Sequence, residues 1–384
     1  MGQRRQIGLF YSYNENWIGG TYYIENVVRA LNRLPDTEKP HLILYSKFPV
    51  KCEDFIKRSG YPYIQSFDLN LPHTYWARLK RKLADRFAWR FLDDRPVINE
   101  LDYCFPNKGG FWFNKLDSQK VIYWIPDFQE LKLEGYFSKE VADMRTAKNA
   151  AISSTANKVV FSSKAALSDY LRFFPNQTTH NYVIPFAVHK IQEEFKDAEV
   201  CETLEKYALT KPFFMIPNQL WKHKNHQVVM EAVALMQQEG TKVLVINSGK
   251  EEDYRFPGHA ENLKSRAKAL GVTDSFRFLG FIPKRDLEIL IAEAAVIIQP
   301  SLFEGWNTGI EEAKAQNKFI LASDIEVHQE QLANYPNTAF FKVDDPKDLS
   351  ALLVSIMYKQ SEIQHYDYNR DISQFARALY NLFS

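Results

Sequence analysis

An alternation constrains this chain more than any single motif. Short apolar runs recur along it, and each is followed by a longer segment whose apolar residues return at helical spacing. That pattern builds an all-parallel sheet, because each return to a parallel strand needs a crossover helix and the helices then cover both faces. In the first half, strands are predicted at Ile7 to Tyr11, His41 to Tyr45, Val121 to Ile125, Lys158 to Phe161 and Tyr182 to Ile184. Helices are predicted at Thr21 to Leu34, Ser138 to Ser153 and Lys164 to Phe173. In the second half, strands are predicted at Phe213 to Ile216, Lys242 to Asn247, Phe276 to Leu279, Val296 to Gln299 and Phe319 to Ala322. Helices there fit Asn225 to Gln238, Ala260 to Leu270, Lys284 to Glu293 and Asn307 to Gln316.

The stretch Lys190 to Thr210 is charged and carries no strand signal, so it is expected to hold the inter-domain linker. The expected fold is α/β, two Rossmann-like doubly wound domains facing each other across a cleft. They are expected at 1–190 and 191–365, with an amphipathic helix in 366–384 packing back on the first. Domains of this kind bind ligands at the carboxyl ends of their strands.

Bulk properties narrow the setting. A chain of 384 residues is long enough for two domains. The net charge of +1 names no partner, and nucleic acid is not among those expected. Cys52, Cys104 and Cys201 are too few and too scattered for a disulfide framework or a metal cage, and they suit a reducing compartment. No long apolar run follows MGQRRQ, and no uncharged run reaches membrane-spanning length. The expected location is cytoplasmic.

Three stretches carry candidate chemistry. The first is Glu304-Gly305-Trp306-Asn307-Thr308-Gly309-Ile310-Glu311-Glu312, between a strand and a helix. Glu304 in the loop and Glu312 in the helix can both face a ligand at the helix start. Free backbone N–H groups there suit a diphosphate, and carboxylates accept hydrogen bonds from sugar and ribose hydroxyls. A pair of exposed glutamates around a helix cap would look the same. The second stretch, Pro217 to His226, sets Lys222, His223, Lys224 and His226 at a strand end, where cations can neutralise a leaving diphosphate. A solvated basic loop is the plain alternative. The third is Gly19-Gly20-Thr21, where paired glycines let backbone approach a phosphate.

Together these stretches resemble glycosyltransferase family 4, retaining enzymes of the GT-B architecture, of the kind that makes bacterial surface polysaccharides. The resemblance is strongest over 212–349, including RFLGFIPKRDL and FILASDIEVHQE. It implies that Glu304 holds hydroxyls of the transferred sugar and Glu312 the nucleotide ribose. It implies Lys224 as the phosphate-binding lysine, Phe281 and Ile282 as readers of the base, and the amides of Asn307, Thr308 and Gly309 as a diphosphate clamp. Gly19 and Gly20 join the donor site. Two departures stand out. Gln219 occupies the position of the family's arginine, five residues before Lys224. The family's His-Asp pair reads Pro126-Asp127, which leaves Asp127 as the acceptor-side candidate and Glu130 as a stand-in for the histidine.

The implied reaction moves a sugar from a nucleotide-diphosphate donor to an acceptor hydroxyl, on a saccharide or a lipid-linked saccharide. Family frequency favours UDP and glucose. No two aspartates stand with a single residue between them, so no divalent metal and no other cofactor is expected. Three rivals stay open: an epimerase on the same fold, an inactive sugar-nucleotide-binding subunit, and a dehydrogenase, the last opposed by the missing G-x-G-x-x-G. The segment 76–95 sets Trp76, Leu79, Leu83, Phe87 and Phe91 at helical spacing among Arg and Lys. Such a helix suits peripheral contact with an anionic membrane, and equally a core-packed surface helix with a solvated basic face.

Overall fold

The computed structural model describes residues 4–13, 18–70, 76, 79, 80, 83, 101–107, 117–189, 195–359 and 362–384. The basic aromatic segment 76–95 therefore lies outside the described residues, apart from Trp76, Leu79, Lys80 and Leu83.

Two all-parallel sheets form. The first contains β1 (Gln6–Tyr11), β2 (His41–Ser46), β3 (Ile64–Asp68), β4 (Tyr103–Asn107), β5 (Val121–Ile125), β6 (Lys158–Phe161) and β7 (His180–Val183), in the order β3-β2-β1-β4-β5-β6-β7. The second contains β8 (Phe214–Ile216), β9 (Val245–Asn247), β10 (Phe276–Phe278), β11 (Val296–Gln299), β12 (Ile320–Ser323) and β13 (Thr338–Phe341), in the order β10-β9-β8-β11-β12-β13. Strand order reverses beside β1 and again beside β8, which makes two topological switch points of the doubly wound type. The expected fold class, two facing Rossmann-like domains, is what forms.

Strands covered by helices on both faces should be apolar throughout, and β8, β9, β11 and β12 are buried along their whole lengths. Those are the strands the apolar runs announce. The reading misses β3, an edge strand with four exposed residues, and β13, the opposite kind of edge in the second sheet. It also misses β4, whose Pro106 interrupts the strand signal and whose pairing with β5 shifts register between Cys104 and Asn107.

The second face of each sheet fixes how the halves join. The helix Asn369–Leu382 buries Ile372, Phe375, Leu379 and Leu382 in one core with Ile7, Leu9, Val27 and Leu31 of the first sheet's layer. The Tyr368 hydroxyl, just before that helix, donates to Glu311 Oε2 at 2.6 Å, and Asp371 in its first turn pairs with Lys314 at 2.8 Å, so the same segment is fastened to the second domain. The stretch expected to be a linker is structured in part. Its helix Asp197–Lys206 lies on the helix Lys284–Glu293 through Arg285–Glu199 at 2.6 Å and Lys206–Asp286 at 2.6 Å. Glu and Lys suit a helix, and charge on its outer face hid it in a search for strands.

Candidate active site between the sheets

A cleft of about 790 Å³ opens where the carboxyl ends of the two sheets face each other. Gly19, Asp127, Gln219, Lys224, Phe281, Ile282, Glu304, Asn307, Thr308, Gly309 and Glu312 all line it. Gly20 does not. The helix predicted to begin at Thr21 begins at Ile18, so both glycines fall in its first turn and Gly20 is buried there. Gly19 stays at the surface of the cleft, with nothing within 4 Å of an added Cβ.

On the second domain's wall, Glu304 is the centre of a tight group. Its Oε1 accepts from Lys224 Nζ at 2.5 Å, Ser301 Oγ at 2.6 Å and Asn307 Nδ2 at 3.1 Å. Lys224 ends a single 3-10 turn, Lys222–Lys224. Asn225 closes that turn in the left-handed region (φ 51°), which asparagine tolerates better than most residues. The two residues assigned from sequence to sugar and phosphate are thus in direct contact. Glu312, one turn into the helix Thr308–Ala315, is ion-paired with Lys284. Desolvation alone would lower the Lys284 pKa, but the charge of Glu312 and the hydrogen bond to it hold that pKa above the ordinary lysine value. Glu311, between these residues in sequence terms, faces elsewhere: it is 1% exposed and accepts from Tyr368, Gln331 and Lys314.

The helix start is built for close approach. The Asn307 side chain caps it by accepting from Ile310 N at 3.2 Å. A Cβ on Gly309 would sit 2.7 Å from Gln299 Nε2, so glycine lets the first turn lie close against that side chain of β11. The Asn307 amide donates to Gln331 Oε1 at 3.1 Å and so is not part of a free clamp, which corrects the expectation for that residue. The amides of Thr308 and Gly309 are the first two of the helix and have no intrahelical acceptor.

The histidines counted as cations are not. Burial, then the charges of Lys224 and Arg255, push the His223 pKa far below the ordinary value. Burial takes His226 down to about 3, and its Nε2 lies 3.1 Å from Asn247 Nδ2. Both rings are neutral near neutral pH.

On the first domain's wall, Asp127 follows β5. Its Oδ1 accepts from Gln129 N at 3.1 Å and lies 3.5 Å from Arg145 Nη2. Glu130, considered as the histidine's stand-in, is buried outside the cleft lining, paired with Arg145 at 3.0 Å. Burial raises its pKa against the opposing charge of Arg145. The walls touch at the Glu304 loop: a Cβ on Gly305 would fall 2.4 Å from Pro126 O, and Trp306 Nε1 donates to Phe186 O at 3.0 Å.

With this geometry in view, the comparisons with known proteins fall into place. Residues 203–377 match the family of glycosyl transferases group 1. A curated relative, the O-antigen chain mannosyltransferase RfbU of Salmonella typhimurium, is 24% identical over 155 residues, 40% of this chain. Those residues are 41% of RfbU, so the match spans about two-fifths of that relative's length. Among solved structures, HepE of Anabaena, in complex with UDP and glucose, has a TM-score of 0.65 at 13% identity, covering 99% of this chain and 95% of that one. A glycosyltransferase of Rickettsia africae has a TM-score of 0.63 at 14% identity, covering 99% and 93%. At such identities the likeness is one of fold, and that fold is GT-B.

The segment 203–377 also holds cleft residues that the sequence alone did not single out. Lys284 begins the helix right after Phe281, Ile282 and Pro283, so its place beside a quoted motif was a usable signal. Arg255 had none: it lies in a loop after β9 and reaches the cleft with its side chain 6% exposed. Gly249 was equally silent, although a Cβ on it would stand 2.4 Å from Asn218 O. Among the described residues no helix is long and apolar enough to cross a membrane, and no three His, Cys, Asp or Glu gather as metal ligands.

Proposed function

We propose that this chain is a glycosyltransferase of bacterial polysaccharide assembly that moves a sugar from a nucleotide-diphosphate donor to an acceptor hydroxyl. One observation carries the reading: Lys224, Glu304, Glu312 and the free amides of Thr308 and Gly309 share one wall of a cleft, with Asp127 across from them. In this reading the diphosphate lies at the helix start, where N–H groups and the positive end of the dipole favour it. Lys224 neutralises charge that grows on the leaving phosphate. Glu304 Oε2, which none of the three donors to Oε1 uses, takes a sugar hydroxyl. Glu312 takes ribose hydroxyls beside Phe281 and Ile282. Configuration is retained, with the departing phosphate oxygen accepting the acceptor's proton, and the reaction needs no divalent metal.

UDP and glucose are the favoured donor pair, supported by the ligands named for HepE. A mannosyl donor is the second reading, supported by the name of RfbU. A panel of UDP-glucose and GDP-mannose, each with and without lipid-linked saccharide acceptors and with EDTA, separates these readings. Transfer that EDTA silences and manganese restores would overturn the metal-free mechanism. Donor consumption without any acceptor requirement would favour an epimerase, and binding without turnover a catalytically silent subunit. Peripheral contact through 76–95 is tested by sedimentation with phosphatidylglycerol vesicles at low and high salt. No binding at low salt removes the membrane from the proposal.

A further inference from the structure

His223 lines the cleft next to Lys224 yet has no part in the reading above. Its surroundings fix its chemistry. Arg255 Nη2 lies 3.1 Å from His223 Nδ1. A guanidinium has donors only, so Nδ1 must be the acceptor, and the ring's proton must sit on Nε2. A doubly protonated ring would turn a donor toward a donor beside two cations. Arg255 is itself held firmly: Nε donates to Asp253 Oδ1 at 3.2 Å and Nη1 to Gln129 Oε1 at 2.6 Å. Its guanidinium lies 5.0 Å from the Trp221 ring centre and 5.3 Å from that of Phe137. Gln129 and Phe137 come from the first domain, so the tautomer is set by a contact that spans both halves. His223 Nε2 has no hydrogen-bond partner among the described residues, although the residue is 2% exposed, and it is not one of the enclosed polar atoms left without a partner. That N–H is therefore open to the cleft.

We propose that His223, locked by Arg255 as the Nε2–H tautomer, is a neutral hydrogen-bond donor to an oxygen of the bound nucleotide sugar. The proposal rests on the donor-binding reading of the cleft. The oxygen belongs either to the diphosphate or to a sugar hydroxyl, and the chemistry required is the same: a lone pair offered to a fixed, uncharged N–H. A neutral donor complements Lys224 there. It orients without adding a charge that the product diphosphate would have to leave behind. Burial and the charges of Lys224 and Arg255, with His226 nearby, keep the ring uncharged.

Two measurements test this. Histidine-selective 15N spectra of the intact protein, assigned with the His223→Gln variant, should show a pyridine-like Nδ1 and a protonated Nε2 from pH 5 to 8. A protonated Nδ1, or titration near pH 6, overturns the tautomer lock whatever the protein's function. Arg255→Leu should release it into a mixture of tautomers. Calorimetry then reads the ligand contact with UDP and UDP-glucose. Gln places its amide near the position of His Nε2, so His223→Gln should bind within threefold of the native protein. Asn places its amide near Nδ1, so His223→Asn should lose tenfold or more. Loss toward both ligands assigns the oxygen to the diphosphate, and loss toward UDP-glucose alone assigns it to the sugar. Equal binding by the two variants overturns the contact. A native protein that binds neither ligand nor their guanosine counterparts sinks the donor reading instead, while the spectra still decide the tautomer.

Discussion

The two walls of the cleft are built differently. On the second domain's wall, cations and carboxylates come from separate segments: Lys224 after β8 meets Glu304 after β11, and Lys284 meets Glu312 on the next helix. On the first domain's wall, Asp127, Gln129, Glu130 and Arg145 lie within one short region, and Arg145 serves both carboxylates. The first arrangement hangs Lys224 and Glu304 on loops after β8 and β11, strands paired side by side, and sets Lys284 and Glu312 near the starts of the helices that follow β10 and β11. The second depends on a four-residue helix and the face of one longer helix. In the function proposed above, the first is the wall that binds the donor and the second the wall that meets the acceptor, so substitutions on the two should separate donor binding from transfer.

The sharpest way to break this contrast is Lys224→Ala. If the donor wall supplies electrostatic stabilisation, turnover should fall by about 2–4 kcal/mol of barrier, the scale of one preorganised contact. The variant also leaves Glu304 without its 2.5 Å partner, so its melting temperature must be measured alongside. Near-normal turnover in a folded variant would make Lys224 a structural counter-ion.

Glu304→Ala and Glu312→Ala divide the same wall. Removing Glu304 frees the ammonium of Lys224 for phosphate, so nucleotide binding should persist while transfer falls by about 1.5–3 kcal/mol, as for loss of hydrogen bonds to a charged group. Glu312→Ala should weaken the nucleotide itself by a similar amount. Identical behaviour toward UDP would erase the division.

The contrast also explains what the sequence disclosed. The second domain's wall was legible because Glu304 to Glu312 lie in one continuous loop-helix segment and Lys224 lies in the first loop after a buried strand. Both signals survive without any knowledge of long-range contacts. Arg255, Gln331 and Gly249 were not legible, since each reaches the site only through contact with a segment distant in sequence, Gln331 from the helix Glu326–Leu332. The neutral state of His223 and His226 was hidden for another reason: charge follows burial, and burial is a property of the packed chain. The same holds for edge strands β3 and β13, where one apolar face suffices and the run of apolar residues shortens.

Gly305→Ala tests how the walls meet. Its Cβ would lie 2.4 Å from Pro126 O and 3.0 Å from Asp127 Cβ, closer than packed atoms tolerate. The halves must separate locally, at a cost of about 1–3 kcal/mol, typical of overpacking. Small-angle scattering should show a larger radius of gyration, and transfer should suffer more than UDP binding, which needs only the donor wall. An unchanged radius with unchanged transfer would mean that the loop accommodates a methyl group without opening.

The smallest effect expected is at Asp127, where the acceptor wall is directly probed. Asp127→Asn preserves an Oδ1 that can accept from Gln129 N, so the local turn should survive. It removes the charge facing Arg145, but Glu130 still holds that guanidinium at 3.0 Å. Stability should therefore change little. Asp127 is itself part-exposed and already shares Arg145, so loss of its charge is worth about 1 kcal/mol, roughly fivefold in rate. If the carboxylate positions the acceptor hydroxyl, that loss should fall on transfer and spare the slow hydrolysis of donor by water. The ratio of the two rates decides the matter, because a general loosening of the wall lowers both. Equal losses, or a lowered melting temperature with no change in the ratio, would make Asp127 a turn-capping aspartate and move acceptor recognition to Arg145 and Lys148, which line the same cleft from the helix Lys139–Thr155.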